Sequence, residues 1–175
     1  MTGPAVDPVA VAWIGLGANL GRRTAALARL RGLLDRPPAR LAAASPELVT
    51  RPVGVAGQPD FLNQVVRLEA EPPLTPAEWL GLCRAAETAA GRRPTYRWGP
   101  RRADADILLL GGRGEVRVDQ PGLRVPHPQL AARAFDCALL AALDPSLIHP
   151  DGWRLADRAG RFSGLLDPGA APGPG

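Results

Sequence analysis

Ile107-Leu108-Leu109-Leu110 is an unbroken apolar run that opens on two aspartates, Asp104 and Asp106, one residue apart. A run this short, closed by the turn residues Gly111-Gly112, reads as a buried strand over Asp104–Leu110. Side chains alternate across a strand, so Asp104 and Asp106 share one face while Ala103, Ala105 and Ile107 share the other. Immediately upstream, residues 92–102 carry Arg92, Arg93, Arg97, Arg101 and Arg102 and no acid. Two carboxylates so close repel each other and resist desolvation. A divalent cation removes both objections, and magnesium is the hard ion that carboxylate oxygens suit. Guanidinium forks supply the complementary half by clasping phosphate oxygens in pairs. Taken alone, a D-x-D on a strand is more often a solvated strand end or a salt bridge. A cationic loop followed at once by the acid pair favours a magnesium–triphosphate site.

Composition sets the frame for that site. A chain of 175 residues, 46% hydrophobic and 22% charged, fits one globular domain with a substantial core. The domain is expected over residues 1–166, and the Pro/Gly-rich residues 167–175 are expected to be a disordered tail. No stretch approaches the ~18–20 apolar residues of a membrane span, and residues 1–10 lack the pattern of a signal peptide. Cys83 and Cys137 lie in apolar, helix-like runs, where buried free thiols are the default, so a cytoplasmic protein without membrane contact is expected. All 21 basic residues are arginine, which excludes a Walker P-loop lysine and a lysine Schiff base. A net charge of +4 is modest for a nucleic-acid binder.

Strands are expected at Val9–Leu16, Leu41–Val49 (with an irregularity at Pro46) and Phe61–Leu68. A helix is expected from Arg22 to Leu34, stopped by Pro37-Pro38. Thr75-Pro76-Ala77-Glu78 is a capping box with proline at the first helical position, opening a helix that runs to about Ala90 and ends at Gly91. Pro128–Ala142 reads as helical and Leu147-Ile148 as a last short strand. Strand–helix–strand, repeated, predicts an α+β, ferredoxin-like sandwich: a mostly antiparallel sheet with helices packed on its faces.

Gly15, Gly17 and Gly21 follow a strand and open a helix, which invites comparison with a dinucleotide fingerprint. The spacing is one residue too long, and Asp35 ends a helix rather than a second strand. These glycines are read as close-packing residues at a strand–helix junction.

Four islands stand out together: the Gly15–Gly21 turn; Gln58-Pro59-Asp60-Phe61-Leu62-Asn63; Arg97-Trp98-Gly99-Pro100-Arg101 through Asp104-Ala105-Asp106-Ile107-Leu108; and Val125-Pro126-His127-Pro128 with Arg133 and Phe135. In order and spacing they closely resemble the 6-hydroxymethyl-7,8-dihydropterin pyrophosphokinase family of folate biosynthesis, over roughly residues 11 to 155. The resemblance implies transfer of diphosphate from ATP to the pterin hydroxymethyl group, with release of AMP, by a monomer that needs neither nucleic acid nor membrane. It implies that Asp104 and Asp106 bind two magnesium ions, which would clamp the attacking and leaving oxygens. Arg92 and Arg101 are implied to grip the triphosphate, with Arg133 similar in role, Trp98 closing the site and His127 touching nucleotide phosphates. Phe61 and Phe135 are implied as aromatic walls for the pterin and Asn63 as its amide anchor, with backbone groups around Thr50 and Val53 completing the edge. Glu87 matches a supporting glutamate, although a plain helix-face charge reads equally well. His149 has no role to carry over and is read as structural.

The chain departs from the family pattern in places. A lysine frequent in the loop between Gly91 and Trp98 is missing, Gly122 stands where a basic residue is frequent, and Arg124 where a small hydroxyl residue is. Arg124 is therefore expected to assume a phosphate contact. No general base is assigned, because phosphoryl transfer rests mainly on positioning and charge neutralisation. Two rivals are weighed. A nucleotidyltransferase also uses D-x-D on a strand but wants Gly-Ser at a preceding helix start, where this chain has Gly91-Arg92. An RNA-binding α+β module would want exposed aromatics across a sheet, and this chain has one Tyr and three Phe.

Overall fold

Ala12, Ile14 and Leu16 alternate with Trp13, Gly15 and Gly17 along the first strand, β1 (Val9–Ala18). Ala12, Ile14 and Leu16 lie in one hydrophobic cluster and Trp13 in the other, so this strand is buried on both faces. The computed structural model describes residues 6–51, 57–91 and 103–159. After β1 the chain forms helix α1 (Arg23–Leu34), strands β2 (Ala39–Ala44), β3 (Leu48–Thr50) and β4 (Phe61–Leu74), helix α2 (Pro76–Ala89) and strand β5 (Asp104–Leu110). A hairpin of β6 (Val118–Gln120) and β7 (Leu123–Val125), a 3-10 turn (Leu130–Ala132) and helices α3 (Ala134–Leu143) and α4 (Leu155–Ala159) complete it.

The main sheet runs β2-β4-β1-β5, with β3 paired to β4, and its pairings are antiparallel. With the short β2 and β3 both pairing to β4 as one interrupted strand, strand–helix–strand–strand–helix–strand is the ferredoxin-like arrangement expected above. Leu27, Leu30 and Leu34 of α1, with Trp79 and Cys83 of α2, bury against Ile14, Leu16, Val66 and Leu68 on one face. On the other face, Cys137, Leu139 and Leu140 of α3 pack with Trp13, Leu48, Val65 and Leu108. Both thiols are free and buried, as their apolar neighbourhoods predict.

Helix α2 starts as its sequence dictates. The Thr75 hydroxyl accepts from Glu78 N (3.3 Å), and the Glu78 carboxylate accepts from Thr75 N (2.8 Å), closing the capping box. At its other end Gly91 takes φ +89, the left-handed conformation that ends a helix at little steric cost.

Several expectations are corrected. The strand expected over Leu41–Val49 is two strands, because the Ser45 hydroxyl accepts from Val65 N (2.9 Å) and breaks the ladder ahead of Pro46. Strand β4 continues to Leu74, beyond the Leu68 expected. The helix expected over Pro128–Ala142 is divided at Arg133, whose backbone takes φ −98 and ψ 81 between the 3-10 turn and α3. Ile148 forms only an isolated bridge with Arg154. The Pro/Gly-rich residues 167–175 lie outside the described residues.

Candidate active site

The register of three strands lays out the centre of the site. Asn63 of β4, Gly17 of β1 and Asp104 of β5 stand in one row, and Val65, Gly15 and Asp106 in the next. Residues paired across a sheet point to the same face, so both aspartates share a face with Asn63, as their spacing predicts. Gly15 and Gly17 therefore lie inside β1, not at a strand–helix junction. With neighbouring strands ~4.8 Å apart, the Asn63 and Asp104 backbones stand about 10 Å apart, with a glycine between them.

Gly17 keeps that gap open. A Cβ at this position would sit 3.3 Å from Asn63 Oδ1 and 4.0 Å from Phe61 Cδ1. Its φ is not in the left-handed region, so space rather than backbone conformation calls for glycine here. Asn63 is buried, and its Nδ2 donates to Thr50 Oγ1 at 2.7 Å. Thr50 pairs with Phe61 across β3 and β4, so the structure brings Thr50, Phe61, Asn63 and Gly17 together. Phe135 lies in the first turn of α3, half-buried against the second core cluster.

On the other side of the aspartates, His127 is fixed to β5 by its backbone N–H, which donates to Leu108 O at 2.9 Å. Its Nδ1 accepts from Gln129 N (3.2 Å), which leaves Nε2 as the protonated nitrogen of a neutral ring. Burial and the nearby Arg133 guanidinium push the imidazole pKa down to about 4, with Asp104 opposing. The 3.9 Å approach of Nε2 to Asp106 Oδ2 is therefore a neutral N–H beside a carboxylate, not an ion pair. Arg133 Nη1 lies 3.8 Å from the same Oδ2 and 3.7 Å from Asp136 Oδ2.

Asp106 and His127 also line a cavity of about 720 Å³ at the β5 edge, shared with Leu80 of α2 and with Asp119, Gln120 and Arg124 of the hairpin. Arg124 Nε donates to Asp119 Oδ1 at 3.1 Å, and both side chains are largely exposed. This volume is in the range of small-ligand sites. The acid pair thus stands between the Asn63–Gly17 gap and the β5-edge cavity.

Glu87 does not sit on a solvated helix face. It is buried on α2, and its Oε1 accepts the backbone N–H of Ala105, between the two aspartates, at 2.8 Å. Asp136, buried on α3, was not singled out from the sequence. Burial drives its pKa up to about 7, against the opposing effect of Arg133. Gly17 borders the gap, whereas Gly15 is a close-packing glycine, with the Leu108 side chain 3.2 Å from where its Cβ would stand. His149 is structural as expected: it stacks on Trp153 at 4.3 Å and its Nδ1 accepts from Asp151 N at 3.1 Å. Arg92, Arg101, Trp98 and Val53, with Arg93 and Arg97, lie outside the described residues.

The donor set suits a hard cation. Asp104 and Asp106 offer carboxylate oxygens on one face, and among the described residues no cluster of three or more acid, His or Cys side chains could hold a metal. Magnesium typically takes one or two carboxylates and completes its octahedron with water and phosphate oxygens, so a two-carboxylate set fits it.

A family model described as 7,8-dihydro-6-hydroxymethylpterin-pyrophosphokinase (HPPK) matches residues 13–145. The chain is 41% identical over 146 residues to the 2-amino-4-hydroxy-6-hydroxymethyldihydropteridine pyrophosphokinase of Pseudomonas aeruginosa, covering 83% of this chain and 87% of the relative. The Bacillus subtilis protein of the same name is 39% identical over 134 residues, covering 76% of this chain and 77% of its own. Among solved structures, an HPPK-DHPS in complex with substrates superposes with a TM-score of 0.65 at 10% identity, over 89% of this chain and 44% of that one. The Plasmodium falciparum HPPK-DHPS gives a TM-score of 0.63 at 12% identity, over 87% and 43%. The chain spans less than half the length of those two structures, and at such identities the likeness speaks for the fold. From the family match and the curated relatives, the chain belongs to the 7,8-dihydro-6-hydroxymethylpterin-pyrophosphokinase family.

Proposed function

We propose that this chain transfers a diphosphoryl group from ATP to the hydroxymethyl oxygen of 6-hydroxymethyl-7,8-dihydropterin, releasing AMP. The observation that carries the reading is the position of Asp104 and Asp106 between two spaces of different chemistry. One is a slot walled by Phe61 and floored by Gly17, with Asn63 and Thr50 at its edge. The other is the β5-edge cavity, bordered by His127 and Arg124.

The slot suits a flat heterocycle. Phe61 offers a ring face, with Phe135 as the second wall. Asn63 spends one amide hydrogen on Thr50 and keeps a carbonyl and a second N–H for a donor–acceptor edge. Thr50, accepting from Asn63, retains its own hydroxyl proton to donate. Val53 supplies further backbone contacts in this reading. The span of about 10 Å between the Asn63 and Asp104 backbones matches a bicyclic ring with its alcohol arm directed at the acids.

The cavity takes the nucleotide. Asp104 and Asp106 would hold magnesium, two ions in the fullest form of the reading, and the bound ion supplies neutralisation of phosphate charge and alignment of the reacting oxygens. His127 offers a neutral Nε2–H to a phosphate oxygen without adding charge. Arg133, beside Asp106, presents a fixed cation to the same region, and Arg92 and Arg101 act on the triphosphate from the preceding loop, with Trp98 shutting out water. Arg124 leaves Asp119 to take the phosphate contact of the basic residue whose place Gly122 occupies. The alcohol oxygen bonds to the β-phosphorus and releases its proton to solvent, as the bond from that phosphorus to the α,β-bridging oxygen breaks and AMP departs with the electron pair. Such a transition state is stabilised chiefly by placement and charge. The free thiols Cys83 and Cys137 suit the reducing cytoplasm, and no helix among the described residues is long and apolar enough to cross a membrane. We take the working unit to be a monomer.

The test is product identity. Protein incubated with ATP, magnesium and the hydroxymethyl-dihydropterin should yield AMP and a pterin diphosphate by mass spectrometry. ADP, or free pyrophosphate, as the product would overturn the assignment.

A further inference from the structure

Asp136 is a buried carboxylate that its own helix does not explain. It occupies the first turn of α3, where an acid usually serves the exposed N–H groups. No side-chain hydrogen bond caps that end, however. Its Oδ2 is buried without a hydrogen-bond partner among the described residues. The Arg133 guanidinium faces it at 3.7 Å, and the carboxylates of Asp106 and Asp104 lie near enough to oppose its charge. The same Nη1 is 3.8 Å from Asp106 Oδ2, so one guanidinium nitrogen is shared almost evenly between two carboxylates.

The backbone keeps it there. Arg133 is the junction between the 3-10 turn and α3, where its N–H donates to Gln129 O at 3.0 Å and its carbonyl accepts from Asp136 N at 3.1 Å. With the backbone pinned, the place of the guanidinium is set by the side-chain torsions and by the carboxylates beside it. If the Asp136 charge were absent, Asp106 would be the attraction left beside Nη1, and the guanidinium would close on it. A tight Arg133–Asp106 pair would occupy the oxygens that a divalent cation needs and withdraw the guanidinium from phosphate.

We infer that Asp136 is a positioning residue, which holds the Arg133 guanidinium off Asp106 so that the acid can bind a cation and the arginine can meet a phosphate. The inference rests on the roles given to Asp106 and Arg133 above.

Its test is binding without turnover. Calorimetry with α,β-methylene-ATP and magnesium at pH 8 should show Asp136→Asn binding about tenfold more weakly, the scale of coupling between adjacent charged groups, and needing about tenfold more magnesium for half-saturation. Asp136→Glu, which keeps the charge, should stay within about threefold of the wild type and serves should the amide variant fail to fold. In an Arg133→Ala background, Asp136→Asn should have no further effect. Equal or tighter binding by Asp136→Asn, or the same weakening with Arg133 already removed, overturns the inference. If Arg133→Ala alone binds as the wild type does, the phosphate role of Arg133 fails first and the inference falls with it.

Discussion

Gly17 and Asn63 face each other across β1 and β4, and a Cβ at Gly17 would stand 3.3 Å from Asn63 Oδ1. The backbone does not require glycine there, so Gly17→Ala should fold normally and trouble only what enters the gap. The expected result is a KM for the pterin raised by roughly tenfold, with the KM for ATP within about twofold of wild type, since one misplaced methyl in a fitted site costs on the order of 1–3 kcal/mol. Steady-state kinetics with each substrate varied in turn checks this. A rise in the ATP KM instead would place the gap on the nucleotide side.

Glu87 fastens α2 to β5 through the Ala105 N–H, at the point flanked by the two aspartates. Glu87→Ala leaves that buried N–H without its acceptor, which should lower stability by about 1–3 kcal/mol in urea denaturation. It should also lower kcat by letting β5 shift. Glu87→Gln retains an acceptor oxygen at the same reach and should recover most of both. Equal losses in the two variants would mean that the charge, not the hydrogen bond, matters.

The pH dependence of stability should reveal two opposed groups. His127 is held down to about 4 from 6.5 by burial. Its contribution is present above pH 6.5 and lost as pH falls through about 4, an effect of up to roughly 3 kcal/mol. Asp136 is raised from 3.8 to about 7 by burial, so its contribution is present below pH 3.8 and lost as pH rises through about 7. Between pH 4 and 6.5 the two slopes partly cancel. Asp136→Asn should therefore gain stability more steeply than wild type as pH rises over that window. His127→Asn should lose it. Urea midpoints at pH 4.5 and 6.5 read both signs, and two variants that track the wild type would contradict the burial of these groups.

The centre of this arrangement is legible in the residues, and its flanks are not. An apolar run opened by two alternating acids is enough to place β5 at Asp104–Leu110, and a capping box is enough to start α2. Both signals are local. The β6–β7 hairpin escapes because three-residue strands around Pro121-Gly122 are too short to display a period. The break at Arg133 carries no Gly or Pro to announce it; tertiary packing sets it. Asp136 and Glu87 read as ordinary helix charges until the fold buries them, since burial belongs to what a neighbouring element covers. Gly17 reads as space on one face only once β1 is known to include it.

The proposed role of Asp104 and Asp106 is to hold together the divalent cation that neutralises the phosphate charge between the two spaces. It is tested most directly by single-turnover rates of Asp104→Asn and Asp106→Asn at saturating ATP, magnesium and pterin. The predicted result is a loss of about 10²–10³ in each, the scale of removing a principal electrostatic element, with pterin binding retained. Rates within a few fold of wild type in either variant would contradict it.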